Sequence, residues 1–334
     1  MFSKKKRDAA YIARLEAFLA ERYALPACRV SPCERGFYGE TWRAESGGRA
    51  YFVKVVCYRL HMSDYMESFR VIEYLRERGI THISEPIPDA QGNPFNLFED
   101  GVLAVFAFVE GVHTEDYPLE PLFALLARQY RVDVGELAPI RTERFSCGTL
   151  RDFRREAERL ARSEIPEAAQ MLALLSGRRD ELAHTAAFLR RAAALCRGSA
   201  DAFCITSGDV GGNVIVRDGR MTIIDWDSLM LAPPERDLWF YMWSDEQIEL
   251  IDRVLPEHGF PYALRPERFA FYACSQHFFY LTEYVEAFFN FPEAREEALA
   301  LFASYLSDGM VPRALQKAEA LLKVPPETKD NIKE

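Results

Sequence analysis

The amino-acid sequence changes character near Glu110, and this change limits the folds that the chain can adopt. Residues 30–56 contain short alternating segments around a Gly-Gly turn, a pattern typical of paired β-strands. A helical segment, SDYMESFRVIEYLRERGI, follows, and after it comes the apolar strand VLAVFAFV. Beyond this point helical spacing predominates. We therefore predict an α+β chain with a small β-rich lobe over residues 1–110 and a larger helical lobe over residues 111–334.

Composition narrows the classes of function. The formal net charge of −10 disfavours a nucleic-acid partner, because phosphate binding requires clustered Lys and Arg, and it favours a cationic ligand, although acidity also serves solubility. The longest apolar run, Val102–Val109, is too short to span a membrane, and no apolar signal segment follows the basic residues Lys4–Arg7. Seven cysteines without a Cys-x-x-Cys pair argue against a disulfide framework or a structural zinc site. We therefore predict a cytoplasmic protein with no nucleic-acid or membrane partner.

Residues 205–240 form the chemically most informative segment. Asp209 lies on a Gly-containing loop four residues before Asn213, which opens a predicted hairpin, and Asp225 ends the second strand of that hairpin. Phosphoryl transfer from a nucleotide needs one carboxylate to orient the attacking hydroxyl, and a carboxylate and an amide oxygen to hold Mg²⁺ on the phosphates. Asp, Gly and Asn are also common in ordinary hairpins, so each residue alone is weak support. Their ordered combination is much more specific and predicts a site of phosphoryl transfer.

This segment resembles the catalytic core of the aminoglycoside phosphotransferase family, relatives of protein kinases whose motif runs His-Gly-Asp, then Asn, then Ile-Asp. Its continuation, IDWDSLMLAPPERDLWF, is similar to the spectinomycin phosphotransferase subgroup. The resemblance implies a bilobal protein-kinase-like fold with the nucleotide bound between the lobes. It also implies that Asp209 is the catalytic base and that Asn213 and Asp225 are the magnesium ligands. Asp237, in the same continuation, would anchor the catalytic loop.

Two features depart from the family pattern. Ser207 stands where the family usually has His, and the interval from Asp209 to Asn213 is one residue shorter than in most relatives. The usual His is generally a scaffold residue, so Ser207 is compatible with catalysis, and a shortened loop is still able to place both side chains. An inactive nucleotide-binding relative therefore stays as an alternative. The retention of Asp209, Asn213, Asp225 and Lys54 argues against it.

Several residues before the change at residue 110 complete the predicted nucleotide site. Lys54 lies in the apolar strand RAYFVKVV, where its ammonium has to reach solvent or meet an anion. By resemblance it contacts the α- and β-phosphates, and Glu67 on the following helix, in preference to Glu73, holds it in place. The other predicted nucleotide contacts, in the turn ERGFYGE and the strand VLAVFAFVEG, are Gly36, Gly39, Phe106 and Phe108. Ordinary turn and core roles explain these four residues equally well.

Candidates for an acceptor site follow in the helical region. Asp227 lies two positions after the predicted metal ligand Asp225, so in an extended segment both side chains point to the same side. We therefore expect Asp227 to face the metal or a cationic substrate, and the alternative is an ordinary surface acid. The aromatic helix over residues 269–291 contains Tyr280 and Glu283, which are suited to an amine-bearing ring, while most of its aromatic residues are expected in the core. His277 in the same helix is predicted to be a packed residue rather than a catalyst.

The sequence therefore predicts a phosphotransferase that uses ATP or GTP with Mg²⁺ and has an alcohol group as acceptor. By resemblance the acceptor is an aminoglycoside or an aminocyclitol such as spectinomycin, and the activity would confer antibiotic resistance. The nearest alternative is a kinase of another small alcohol, such as a choline-, homoserine- or sugar-like metabolite, because acceptor specificity depends on the helical region. The choice between ATP and GTP and the oligomeric state stay open.

Overall fold

The computed structural model describes residues 8–33, 39–57, 59–114, 116–137, 139–198, 202–307 and 310–323. Contacts divide the chain into two compact units. The first comprises residues up to Thr142, Cys204–Ala232 and Glu257–Phe260; the second comprises Glu143–Phe203, Pro233–Pro256 and the residues from Pro261. The lobe boundary at residue 110 stays a prediction. None of the helices in the described ranges is long and apolar enough to cross a lipid bilayer.

Six strands of the first unit form an antiparallel sheet. In chain order they are β1 (Arg29–Pro32), β2 (Gly39–Ser46), β3 (Arg49–Val56), β4 (Pro86–Ile87), β5 (Asn96–Phe98) and β6 (Gly101–Ala107). Their order across the sheet is β1-β2-β3-β6-β4, and β5 also pairs with β6. The β2–β3 hairpin turns at Gly47 and Gly48, whose φ angles of 58° and 74° fit the type I′ turn that matches strand twist. The predicted Gly-Gly turn is confirmed.

Helices cover both faces of this sheet. Helix α1 (Ala9–Arg22) packs on one face, and α2 (Arg59–Glu77) packs on the other. Successive residues of β6 enter the two cores alternately: Leu103 and Val105 face α1, whereas Val102, Ala104 and Phe106 face α2. This arrangement explains why β6 is apolar at every position. In β3, Val53 and Val55 face α1, so the intervening Lys54 lies on the α2 face.

Two small sheets and one helix are the other regular elements that the described residues of the first unit form. Their elements are β7 (Val112–His113), α3 (Leu119–Tyr130), β8 (Cys204–Thr206), β9 (Val214–Arg217), β10 (Arg220–Ile223) and β11 (Met230–Ala232). Strand β9 pairs with β10 and β7, and β8 pairs with β11. The β9–β10 hairpin turns at Asp218 and Gly219, with φ angles of 49° and 74°. The hairpin predicted between Asn213 and Asp225 is therefore confirmed.

In the described part of the second unit, all regular elements are helices. They are α4 (Gly148–Ala161), α5 (Pro166–Ser176), α6 (Arg179–Cys196), α7 (Glu235–Leu238), α8 (Asp245–Glu257, whose last residue belongs to the first unit), α9 (Pro266–Asn290), α10 (Arg295–Ser307) and α11 (Met310–Lys323), with 3₁₀ turns at Trp239–Tyr241 and Pro292–Ala294. Helix α9 packs against α4, α6, α10 and α11. Because it is surrounded on several sides, its aromatic residues are largely buried, as the sequence predicts for residues 269–291.

His277 lies within this packing and is 3% exposed. Its ring stacks on Tyr305 with 5.8 Å between ring centroids, and its Nδ1 is 2.9 Å from the Tyr305 hydroxyl oxygen. Burial, with a smaller contribution from the charge of Arg178, lowers the pKa of His277 from 6.5 to about 4. The prediction of a packed histidine is confirmed.

The lowered pKa of His277 predicts a loss of stability in mild acid. The unfolded chain takes up a proton near pH 6.5 at this position, whereas folded His277 does so only near pH 4, so stability falls as the pH is lowered through this range. Between about pH 7 and about pH 5 the contribution of His277 to this loss is about 2 kcal/mol. In His277→Gln the free energy of unfolding in urea should therefore fall less with acidification than in the wild type. The exposed His258 provides the control, and an identical pH dependence in His277→Gln, His258→Gln and the wild type would contradict this prediction.

Candidate functional site

Pairing of β8 with β11 brings two loops of the first unit together. Thr206 is in register with Met230, and the Thr206 hydroxyl donates to the Met230 carbonyl oxygen at 3.2 Å. The Ser228 hydroxyl donates to the Ser207 carbonyl oxygen at 2.8 Å. The loop that starts with Asp209 and the segment that starts with Asp225 are thereby anchored side by side. Ser207, which replaces the usual His of the family pattern, is buried here and belongs to this scaffold.

The loop between Asp209 and Asn213 closes on itself. The Asn213 backbone N–H donates to the Val210 carbonyl oxygen at 3.2 Å, and the Asn213 side-chain amide donates to the Asp209 carbonyl oxygen at 2.7 Å. The bond to Asp209 uses its backbone oxygen and not its side chain, and Asp209 itself is exposed. The short interval between the two residues thus forms a defined turn that presents the Asp209 carboxylate to solvent.

Asp225 adopts a left-handed backbone conformation with φ of 63°. Such a conformation is uncommon outside glycine, Asn and Asp, and it persists only where the surroundings fix it. The neighbouring Trp226 supplies this restraint, because its ring is buried and its Nε1 donates to the Ile223 carbonyl oxygen at 2.7 Å. The direction of the Asp225 side chain is therefore set by the end of β10.

Lys54 joins β3 to this segment. Its ammonium lies 2.7 Å from Asp225 Oδ1 and 2.5 Å from Asp227 Oδ2, and its side chain is only 10% exposed. The Lys54 nitrogen also lies 5.8 Å from the centre of the Tyr65 ring on α2. The sequence predicts that the Lys54 ammonium either reaches solvent or meets an anion. In the structure it meets two anions, the carboxylates of Asp225 and Asp227.

The three charged groups shift one another's pKa values. Burial raises the pKa of Asp227, the neighbouring charge of Asp225 raises it further, and the pKa reaches about 7 despite the opposing effect of Lys54. For Asp225, burial acts upward, but the Lys54 ammonium outweighs it and the pKa lies below its ordinary value. Burial opposes the charged form of Lys54, yet the two carboxylates raise its pKa above the ordinary value. Lys54 therefore stays charged, and Asp225 stays ionised.

Asn213 and Asp225 offer oxygen ligands from adjoining positions. The backbone N–H of Ile224 donates to the Asn213 carbonyl oxygen at 2.9 Å, which holds Asn213 beside the residue that precedes Asp225. Among the described residues, the Asn213 amide oxygen has no hydrogen-bond partner, and the Asp225 side chain is 40% exposed. Mg²⁺ prefers such oxygen ligands and commonly completes its shell with substrate phosphates and water. The residues fit the predicted ion, although no group of three or more His, Cys, Asp or Glu in the described ranges would hold a metal alone.

Comparison with known proteins decides the family. The model of the phosphotransferase enzyme family matches residues 29–269, more than half of the chain. The chain belongs to this family. Protein StrN of Streptomyces griseus is 28% identical over 235 residues, which cover 66% of this chain and 69% of StrN. The predicted resemblance and the prediction of a phosphotransferase are confirmed.

Solved structures of low sequence identity share the fold of this phosphotransferase. Spectinomycin phosphotransferase APH(9)-Ia, in complex with ADP and spectinomycin, is similar with a TM-score of 0.74 at 16% identity, covering 93% of this chain and 98% of that one. A choline kinase from Cryptosporidium parvum is similar with a TM-score of 0.56 at 12% identity, covering 93% and 96% of the two chains. The predicted protein-kinase-like α+β fold is confirmed.

The structure of this phosphotransferase does not form the predicted pair of Lys54 and Glu67. Glu67 Oε1 instead accepts a hydrogen bond from the backbone N–H of Arg141 at 3.2 Å. Helical geometry gives the reason: α2 presents Tyr65 to Lys54, and a residue two positions later points to nearly the opposite side of a helix. Glu73, the other helical candidate, is exposed. Asp225 and Asp227 take the place of the predicted glutamate, while a nucleotide-binding role for Glu67 stays a prediction.

Of the two glycines predicted to cover the nucleotide, Gly36 lies outside the described residues, and Gly39 opens β2. A Cβ atom on Gly39 would lie 2.2 Å from the carbonyl oxygen of Val55 on the adjacent strand. Gly39 is therefore required for the close approach of β2 and β3, whether or not it also contacts phosphate.

This close approach predicts a large difference between two glycine substitutions. Gly39→Ala should lower the free energy of unfolding by about 1–3 kcal/mol, because the two strands have to separate to admit the methyl group. Gly177→Ala is the matched control, since Gly177 ends α5 with a helical φ of −63° and only ordinary contacts around its Cβ position. Urea denaturation of both variants measures the difference, and equal stabilities would show that β2 readily moves away from β3.

Phe106 and Phe108 have different environments in the structure. Phe106 is 7% exposed and packs 6.0 Å from the Phe69 ring, so it belongs to the core on the α2 face. Phe108 is partly buried just beyond β6, where the guanidinium of Arg43 lies 4.3 Å from the centre of its ring. Contact of either residue with a nucleotide stays a prediction.

The remaining predicted residues belong to the second unit. Tyr280 lies on α9 with its ring 5.9 Å from that of Tyr305, and Glu283 is partly buried one turn further along the helix. Asp237 is buried on the short helix α7. Their roles in acceptor binding and in anchoring the catalytic loop stay predictions.

Sequence reasoning missed two residues around this site, Arg141 and Ser68. Arg141 lies in an irregular segment without a motif, so no signal in a single sequence distinguishes it from other arginines. Ser68 adjoins Phe69 on the buried side of α2, and a polar residue there is a weak signal of a specific partner. Its hydroxyl accepts a hydrogen bond from the Leu229 backbone N–H at 3.2 Å.

Proposed function

We propose that this phosphotransferase transfers the γ-phosphate of ATP or GTP to a hydroxyl group of an aminoglycoside or an aminocyclitol such as spectinomycin. The observation that carries the proposal is the convergence of Lys54 and the Asp225 segment beside the Asp209 loop. Phosphoryl transfer depends mainly on positioning and charge stabilisation, and these groups supply both. The likeness to a structure containing ADP and spectinomycin supports the acceptor class. The net charge of −10 supports it as well, because an acidic protein attracts a cationic substrate.

Each residue has a defined part in this proposal. The exposed carboxylate of Asp209 orients the acceptor hydroxyl and accepts its proton. Lys54 has three N–H donors, of which Asp225 and Asp227 occupy two, so a third is available to a phosphate oxygen. Asn213 and Asp225 would hold Mg²⁺, which when bound neutralises charge on the phosphates.

The alternative of an inactive relative is less consistent with the geometry. Ser207 is buried in the scaffold, and the shortened loop still forms a turn closed by Asn213. A chain without catalytic demands would have little use for a buried lysine held between two carboxylates, because charged groups are costly to bury. Another small alcohol, such as choline, stays as the second candidate for the acceptor, supported by the likeness to a choline kinase.

Nucleotide turnover tests the proposal. ADP or GDP formation would be measured with ATP or GTP and Mg²⁺, in the presence of spectinomycin, other aminoglycosides, choline, homoserine and simple sugars in turn. Turnover that depends on an aminocyclitol or aminoglycoside is the expected result. Turnover with choline or another alcohol alone would replace the acceptor class, and a chain that binds neither nucleotide would refute the proposed transfer from ATP or GTP. The cytoplasmic location and the role in antibiotic resistance stay predictions.

A further inference from the structure

Arg141 links three parts of the first unit around Lys54. Its Nη1 forms an ion pair with Asp64 on α2, and its Nη2 donates to the Ser228 carbonyl oxygen at 3.0 Å. The backbone of Arg141 is also engaged, since its N–H donates to Glu67 on α2 and its carbonyl oxygen accepts from the Leu231 N–H at 2.9 Å. One residue therefore ties α2 to the segment that directly follows Asp225 and Asp227.

These contacts stand where a protein-kinase-like chain would be expected to use a lysine–glutamate pair. Lys54 contacts carboxylates of the Asp225 segment and no carboxylate of α2 among the described residues. Without that pair, α2 is connected to the segment through Arg141 and through the Ser68 bond to Leu229. The position of Asp225 and Asp227 relative to Lys54 thus depends on how this segment is held.

We propose that Arg141 is a positioning residue for phosphoryl transfer, which fixes the Asp225–Ser228 segment against α2 so that Asp225 and Asp227 stay in contact with Lys54. The inference deepens the proposed function and rests on it. Arginine is suited to this task because its planar guanidinium donates in two fixed directions at once, here to a carboxylate and to a carbonyl oxygen. Lysine, with a single nitrogen, would satisfy the Asp64 carboxylate and lose the contact with Ser228.

Arg70 provides a matched control. Arg70 lies on α2 and donates to backbone oxygens of the irregular segment that contains Arg141, those of Leu137 and Pro139. It therefore anchors α2 to this segment as Arg141 does, but within the described ranges it forms no hydrogen bond or ion pair with residues 225–229. A role in general stability predicts similar effects of Arg70→Met and Arg141→Met, whereas a positioning role separates the two variants.

The test compares the wild type, Arg141→Met, Arg141→Lys and Arg70→Met in thermal unfolding, steady-state kinetics and nucleotide affinity with Mg²⁺ or with EDTA. We expect Arg141→Met to lower kcat roughly 10- to 100-fold, the usual effect of losing a group that orients ligands. It should also lose most of the gain in nucleotide affinity that Mg²⁺ gives the wild type. Arg70→Met should keep kcat and the Mg²⁺ effect within about 3-fold of the wild type, and Arg141→Lys should behave like Arg141→Met.

Several outcomes would overturn the inference. Equal kcat and equal Mg²⁺ effects in Arg141→Met and Arg70→Met would reduce Arg141 to a stabilising residue, and full activity of Arg141→Lys would show that charge alone suffices. If Arg141→Met does not fold, Asp64→Asn serves instead, because it keeps the side-chain shape but removes the charge partner of Arg141. Wild-type kinetics in Asp64→Asn would count against the positioning role of Arg141. Wild-type turnover with an unaffected Arg141→Met variant refutes the positioning role alone, whereas a wild-type chain that binds no nucleotide refutes the proposed function and the positioning role with it.

Discussion

Asp209→Asn should lower kcat by about 10²- to 10⁴-fold while the chain keeps its fold and its nucleotide affinity. The substitution preserves size and removes the carboxylate that would accept the proton of the acceptor hydroxyl. The Asp209–Asn213 turn should survive, because the bond that closes it uses the backbone oxygen of Asp209 rather than its side chain. Steady-state turnover with the best acceptor, nucleotide titration and thermal unfolding would be measured on the same preparation.

Asp218→Asn is the control for this substitution. Asp218 is exposed at the tip of the β9–β10 hairpin, and Asn tolerates its φ of 49° equally well. We expect wild-type turnover from Asp218→Asn. If Asp209→Asn retained more than about a tenth of the wild-type kcat, another group would have to accept the proton, and the catalytic role of Asp209 would be withdrawn.

The local parts of the site could be predicted from the sequence. Turn residues, two short apolar strands and the flanking Asn213 and Asp225 lie within one continuous stretch, so their arrangement depends on local backbone preferences. The sequence of β3 likewise showed Lys54 as a charged residue with apolar neighbours on both sides. These features follow from two local rules: side chains alternate between the two faces of a strand, and glycine readily adopts the backbone conformations that tight turns need.

The partners of Lys54 could not be predicted in the same way. Asp225 is 171 positions from Lys54 in the chain, and no local pattern relates the two residues. The apolar positions of α2 did contain a usable signal, because Tyr65 and Phe69 mark the face directed to the sheet, and Glu67 lies away from it. Arg141 gave no signal at all, since it lies outside any motif and its contacts are with residues that are distant in sequence.

Lys54→Met should lower both stability and nucleotide affinity. Removing the ammonium leaves Asp225 and Asp227 facing each other without their shared partner, and breaking a buried ion pair in this way costs about 3–5 kcal/mol. The exposure of Asp225 to solvent, 40% of its side chain, places the expected loss near 3 kcal/mol. Urea denaturation measures this loss, and nucleotide titration measures the missing contact with phosphate. Lys317→Met, which removes a lysine paired with the exposed Asp245, should cost no more than about 1 kcal/mol.

A second substitution separates the two roles of Lys54. In Lys54→Met with Asp227→Asn, one of the opposed charges is neutralised, so we expect most of the lost stability to return. Nucleotide affinity and turnover should stay low, because no ammonium is left for the phosphates. Recovery of turnover together with stability would show that Lys54 serves only to compensate the two carboxylates, and that another cation contacts the nucleotide. If stability does not recover, repulsion between Asp225 and Asp227 is not what destabilises Lys54→Met, and the lost packing of the lysine side chain against the α2 face would account for it instead.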